Sequence, residues 1–166
     1  ALTAILEADR PVYTAVTILA DKEEIGSEGN TGMQSAFLKY FIADIAAAFG
    51  EEGRHVLQQS VCLSADVNVA LDPIYPDTVE PRNCAWLNRG VVLTKYTGSR
   101  GKSDTSELGK VDMGGGGTVA KYIADLDVDT VDMGVPVLSM HAPFEVVSKL
   151  DVYMAHKAFT ALLMRP

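Results

Sequence analysis

No apolar run in this sequence approaches the ~18 residues that a membrane span requires. A secretory leader is not visible either, because the opening ALTAILEADR is short and ends in charge. Cysteine is scarce. Cys62 and Cys84 are the only two, neither stands in a C-x-x-C pair, and their spacing asks for no disulfide. A reducing, cytoplasmic setting is the simpler expectation. Basic residues are outnumbered, 14 against 22 acidic, and they are scattered, which argues against a nucleic-acid surface. The net charge of -8 favours solubility, and carboxylates gathered around a metal would also produce it.

What is present suffices for one folded domain. The 166 residues can bury a core, and 48% apolar with 22% charged residues argue against disorder. Residues 12–20, VYTAVTILA, form a β-branched run suited to a buried strand. The polar, glycine-rich DKEEIGSEGNTG that follows predicts a loop at that strand's carboxyl end. A helix is expected from Asn30 or Thr31, with Met33, Phe37, Tyr40, Phe41, Ile45 and Ala48 at helical spacing and Gly50 as terminator. Further strands are predicted at about 56–67, 90–96 and 130–138, and helices from about Thr118 and over roughly 150–164. Strands alternating with helices predict an α/β fold, a three-layer αβα sandwich around a central, largely parallel (mixed) sheet. Sites in such sheets lie at the carboxyl ends of strands.

The chemistry-bearing residues fall at those ends. Glu23 and Glu24 are adjacent carboxylates that point different ways, so one can ligate a metal while its neighbour reaches a coordinated water. Zinc lowers the pKa of such a water to ~7, and a nearby carboxylate can take its proton. Asp66 follows the apolar strand SVCLSA, and His141 follows another in LSMHAPFE. A carboxylate–imidazole set of this kind suits zinc. Each position alone also fits a plain role: a solvated acidic loop, a turn aspartate, a hydrogen-bonded histidine. The four glycines 114–117 lack the Lys-Ser/Thr ending of a P-loop. They suit close approach of backbone to a substrate, or a flexible turn.

Taken together, several segments resemble one family in order and spacing. They are residues 21–32, Ser64-Ala65-Asp66, LNRGVVLTK at 87–95, GGGGT at 114–118, and DMGVPVLSMH at 132–141. They resemble the zinc aminopeptidase family that includes aspartyl aminopeptidase and vacuolar aminopeptidase I, in its bacterial branch. The resemblance covers nearly the whole chain. It implies Glu23 as general base, Glu24 and His141 as ligands of one zinc, and Asp66 as ligand of a second. Lys95 would face the side chain of the substrate's first residue, and Gly115, Gly116 and Gly117 would lie beside the substrate. A separate dimerisation domain and a large homo-oligomer, typically a dodecamer, are also implied.

Two departures define what the chain covers. The family carries a histidine ligand and a metal-bridging aspartate upstream of the glutamate pair, and neither position is present here. Near residues 103–107 the chain is also shorter than the family by about 25 residues, one helix plus one strand at usual lengths. Residues 1–166 are therefore expected to be the C-terminal part of a zinc-peptidase catalytic domain. The expected activity is hydrolysis of the N-terminal residue from peptides with a free N-terminus. The alternatives are a non-catalytic assembly subunit on the same fold and a related zinc-dependent deacylase.

Overall fold

The computed structural model describes residues 1–82, 84–94 and 119–166. Lys95, Gly115, Gly116 and Gly117 lie outside the described residues, as does the 103–107 connection. The architecture is α/β: a mixed sheet with helices on both sides.

Strand β3 (Asp129–Leu138) forms the middle of the sheet. Strand β1 (Val61–Val69) runs parallel to it over nine paired positions, from Val61 opposite Asp129 to Val69 opposite Val137. The short strands β2 (Val92–Thr94) and β4 (Val146–Val147) pair with β3 antiparallel. Most of the pairing is therefore parallel, as alternating β and α segments predict. The core concentrates on β3, where Met133 and Val137 are only 2% and 1% exposed. Burying side chains of this size stabilises by about 1.5–3 kcal/mol each.

Helix α2 (Phe37–Ala48) begins later than Asn30, because residues 31–36 form turns. It ends as expected at Gly50, whose φ of 76° is favoured by glycine. The amides of Gly50 and Glu51 donate to the carbonyls of Ala47 and Ala46, a Schellman ending. Its apolar residues divide into two faces. Leu38, Ile42 and Ile45 line a cleft beside the sheet, whereas Phe37, Tyr40 and Phe41 are exposed.

Two expected strands differ. Residues 53–58 form helix α3 (Gly53–Gln58), so the second strand starts at Val61 and not near Val56. Gly53 permits close packing on α2: a Cβ there would lie 2.8 Å from the Ala43 Cα. The apolar run at 12–20 forms no strand. A β-branched run becomes a strand only where a partner supplies ladder hydrogen bonds. Among the described residues β1 has one ladder neighbour, β3. Residues 16–20 of this run and residues 60–66, which include the first part of β1, instead line a common cleft of ≈ 780 Å³.

The remaining helices are α1 (Leu2–Glu7), α4 (Ala120–Ala124) and α5 (Lys149–Leu163). Helix α1 docks on α5, where the His156 ring nitrogens meet the Thr3 hydroxyl at 3.1 Å and the Glu7 carboxylate at 3.3 Å.

Candidate metal centre

Glu23 and Glu24 occupy a single 3₁₀ turn, Glu23–Ile25. Backbone in the left-handed region flanks that turn at Lys22 (φ 61°), Gly26 (φ 99°) and Ser27 (φ 58°). Such conformations cost about 1–3 kcal/mol at non-glycine residues and persist only where the surroundings hold them. Here the buried Ser27 donates its amide to the Lys22 carbonyl at 2.7 Å and accepts the Gln34 amide at 3.1 Å. The Gln34 amide side chain and the Tyr122 hydroxyl both donate to the Gly26 carbonyl, at 2.7 and 3.2 Å. Tyr122 belongs to α4, so that helix braces the glutamate turn.

His141 stands three residues beyond β3, again with left-handed backbone (φ 65°), as has Ser139 (φ 58°). The Glu145 carboxylate closes this loop by accepting the His141 amide at 2.5 Å. The His141 Nδ1 lies 3.8 Å from Glu24 Oε1, and both side chains are well exposed, at 67% and 74%. Asp66 does not close its strand. It sits within β1, opposite Gly134, and its Oδ1 accepts the following Val67 amide at 2.7 Å.

Glu23 is the electrostatic centre of the group. Partial burial pushes its carboxyl pKa up, and the negative charges of Asp66 and Glu24 push it further the same way. His141 and Lys121 oppose them. The fold therefore brings Glu24, Asp66 and His141 within electrostatic reach of Glu23, from three separate parts of the chain. No role for Lys121, Tyr122, Gln34 or Glu145 emerged from the sequence. Lys121 and Tyr122 follow the glycine run in the first turns of α4, which is the one available hint.

Imidazole with carboxylates is a donor set that fits zinc. Glu24 and His141 are already adjacent, and their exposure leaves them free to rotate toward a shared ion. Among the described residues, no three His, Cys, Asp or Glu side chains are gathered closely enough to hold a metal as they stand. No helix among the described residues is long and apolar enough to cross a membrane.

A carboxylate–histidine cluster beside a mixed α/β sheet accords with the class of zinc-binding α/β proteins. Comparison with known proteins narrows this. The family described as aminopeptidase I zinc metalloprotease (M18) matches residues 1–113 and 104–163. The chain belongs to that M18 family. A probable M18 family aminopeptidase 1 of Clostridium acetobutylicum is 43% identical over 188 residues, covering 96% of this chain and 40% of that protein. Its counterpart in Thermotoga maritima is 37% identical over 192 residues, covering 98% and 42%. The crystal structure of aminopeptidase I from Clostridium acetobutylicum superposes with a TM-score of 0.86 at 44% identity, over 97% of this chain and 40% of that one. The S. cerevisiae mApe1 dodecamer superposes at 0.71 with 22% identity, over 88% and 37%, a likeness of fold alone. The chain thus spans about 40% of the length of the relatives it matches.

Proposed function

We propose that this chain is the C-terminal part of the catalytic domain of a zinc aminopeptidase, which removes the N-terminal residue from peptides at a two-zinc site. The observation that carries the reading is the convergence of Glu23, Glu24, Asp66 and His141 in a member of this family. Glu24 and His141 would hold one zinc and Asp66 the other. When bound, zinc supplies Lewis-acid polarisation of the scissile carbonyl and acidifies water. Glu23, with its raised pKa, is suited to accept a proton from water and return it to the leaving amine nitrogen. Lys95 would face the side chain of the first substrate residue, and Gly115, Gly116 and Gly117 would lie along the peptide.

Two observations support an incomplete catalytic fold. The first is the cleft of ≈ 780 Å³ lined by β1, which among the described residues has one ladder neighbour, and by the exposed Ile18 and Leu19. The second is the shape of the sequence matches: the family matches in two stretches that overlap at 104–113, which accords with residues missing near 103–107. A homo-oligomer, built on dimers and reaching a dodecamer, accords with the yeast neighbour's assembly. The unpaired cysteines Cys62 and Cys84 accord with a cytoplasmic setting.

The rival reading is a non-catalytic assembly subunit, favoured by the lack of three gathered ligands among the described residues. The deciding experiment loads the full-length protein with zinc and assays free-amino and N-acetylated residue anilides. Chelator-sensitive hydrolysis of the free-amino set alone supports an aminopeptidase. Preference for the blocked set means a deacylase, and zinc uptake without hydrolysis of either means a scaffold.

A further inference from the structure

We propose that Asp151 is a positioning residue, whose buried carboxylate clamps the turn at residues 87–90 and thereby sets where β2 joins β3, on the side of the sheet opposite β1. Asp151 lies in the first turn of α5 and is 0% exposed. A buried carboxylate persists only where hydrogen bonds replace its water. Asp151 has such bonds: its two oxygens accept the amides of Asn88 at 2.8 Å and Gly90 at 2.7 Å. Asn88 and Gly90 both have left-handed backbone, φ 63° and 91°; glycine accepts this freely, but at Asn88 the bond fastens a conformation that non-glycine residues seldom adopt. Ser148, the N-cap of α5, adds a third tie by donating its hydroxyl to Asn88 Oδ1 at 2.5 Å.

The clamp acts at the level of the candidate centre. Two residues beyond Gly90, β2 begins with Val92 opposite Gly134, and Gly134 in turn lies opposite Asp66. The same stretch that leads into α5 also carries Glu145, which holds the His141 loop. The start of α5 therefore ties together the loop after β3 and the turn before β2. Immediately after β2 comes Lys95, so a kinetic role for the clamp rests on the substrate-side reading given above.

The test compares wild type, Asp151→Asn and Asp151→Ala. Asparagine keeps one acceptor, and alanine keeps none. Amide hydrogen exchange at Asn88 and Gly90 is expected to quicken roughly ten- to hundred-fold in Asp151→Ala, with Asp151→Asn between, since bonds to a charged acceptor are the stronger kind. Exchange within β1 and β3 should stay as in wild type. In the full-length zinc-loaded protein, KM for a free-amino anilide should rise roughly ten-fold in Asp151→Ala with kcat little changed, and Asp151→Asn should recover part of the loss. Unchanged exchange at Asn88 and Gly90 overturns the clamp. Faster exchange through the whole sheet in both variants, or an equal fall in kcat, reduces Asp151 to a general stabilising role and also overturns it. If the local exchange changes as expected but wild type hydrolyses no free-amino substrate, the clamp stands and the aminopeptidase reading fails.

Discussion

Replacing Glu23 with glutamine separates three consequences of one carboxylate. The amide keeps the size and shape of the side chain and removes its charge and its basicity. If Glu23 is the general base, turnover falls by the ~10²–10⁴-fold typical of such groups, or about 3–5 kcal/mol of transition-state stabilisation. If Glu24 and not Glu23 is the ligand, zinc content stays near the wild-type level. The third consequence concerns the metal-free chain. Burial and the charges of Asp66 and Glu24 raise the Glu23 pKa above its ordinary 4.5. A carboxyl raised in the folded state favours folding fully below its unfolded pKa, and that contribution is lost as pH rises through the folded value. Glu23→Gln should therefore melt higher than wild type at pH 7 in the absence of metal, and the difference should vanish below about pH 4. Metal analysis, kcat on a leucine anilide and melting curves across pH measure the three. Zinc loss in Glu23→Gln equal to that in Glu24→Gln would refute the assignment of roles. A metal-free variant less stable than wild type at pH 7 would refute the electrostatic reasoning.

Glu24→Gln should lower zinc content and loosen the His141 side chain 3.8 Å away, visible as a shifted imidazole resonance on metal titration. A variant that binds zinc like wild type would remove Glu24 from the ligand set. Gly134→Ala places a methyl group against the Asn68 carboxamide and 2.7 Å from the Asp66 carbonyl. Overpacking of this kind costs about 1–3 kcal/mol, read as a lower urea midpoint; an unchanged midpoint would show that the strand relaxes freely. Lys95→Ala should reduce kcat/KM for Asp and Glu anilides more than for the Leu anilide. The cost is about 3–5 kcal/mol if the charge pair with the substrate is buried and ~0–1 if it is solvated. An equal loss on all three substrates would mean that Lys95 does not face the side-chain pocket.

Sequence alone determined those features whose causes are local. The strand read at 130–138 and the helix read over roughly 150–164 match β3 and α5. The stop after α2 is read from a glycine that alone accepts the required backbone without strain. The sequence offers Glu23, Glu24, Asp66 and His141 as zinc-type donors by residue chemistry alone, whereas their grouping around Glu23 depends on the fold. Tertiary structure decided everything that depends on a partner distant in sequence. Whether VYTAVTILA becomes a strand depends on an edge to pair with, and α3 folds where its Val56 and Leu57 can line the same cleft as α2. The placement of Asp66 opposite Gly134 is a register between strands separated by 59 residues of intervening chain. Nothing in the sequence distinguishes Asp151 from other acidic residues in the first turn of a helix. Its role exists because the fold delivers two amides from residues 88 and 90 to one carboxylate that has no water left to bind.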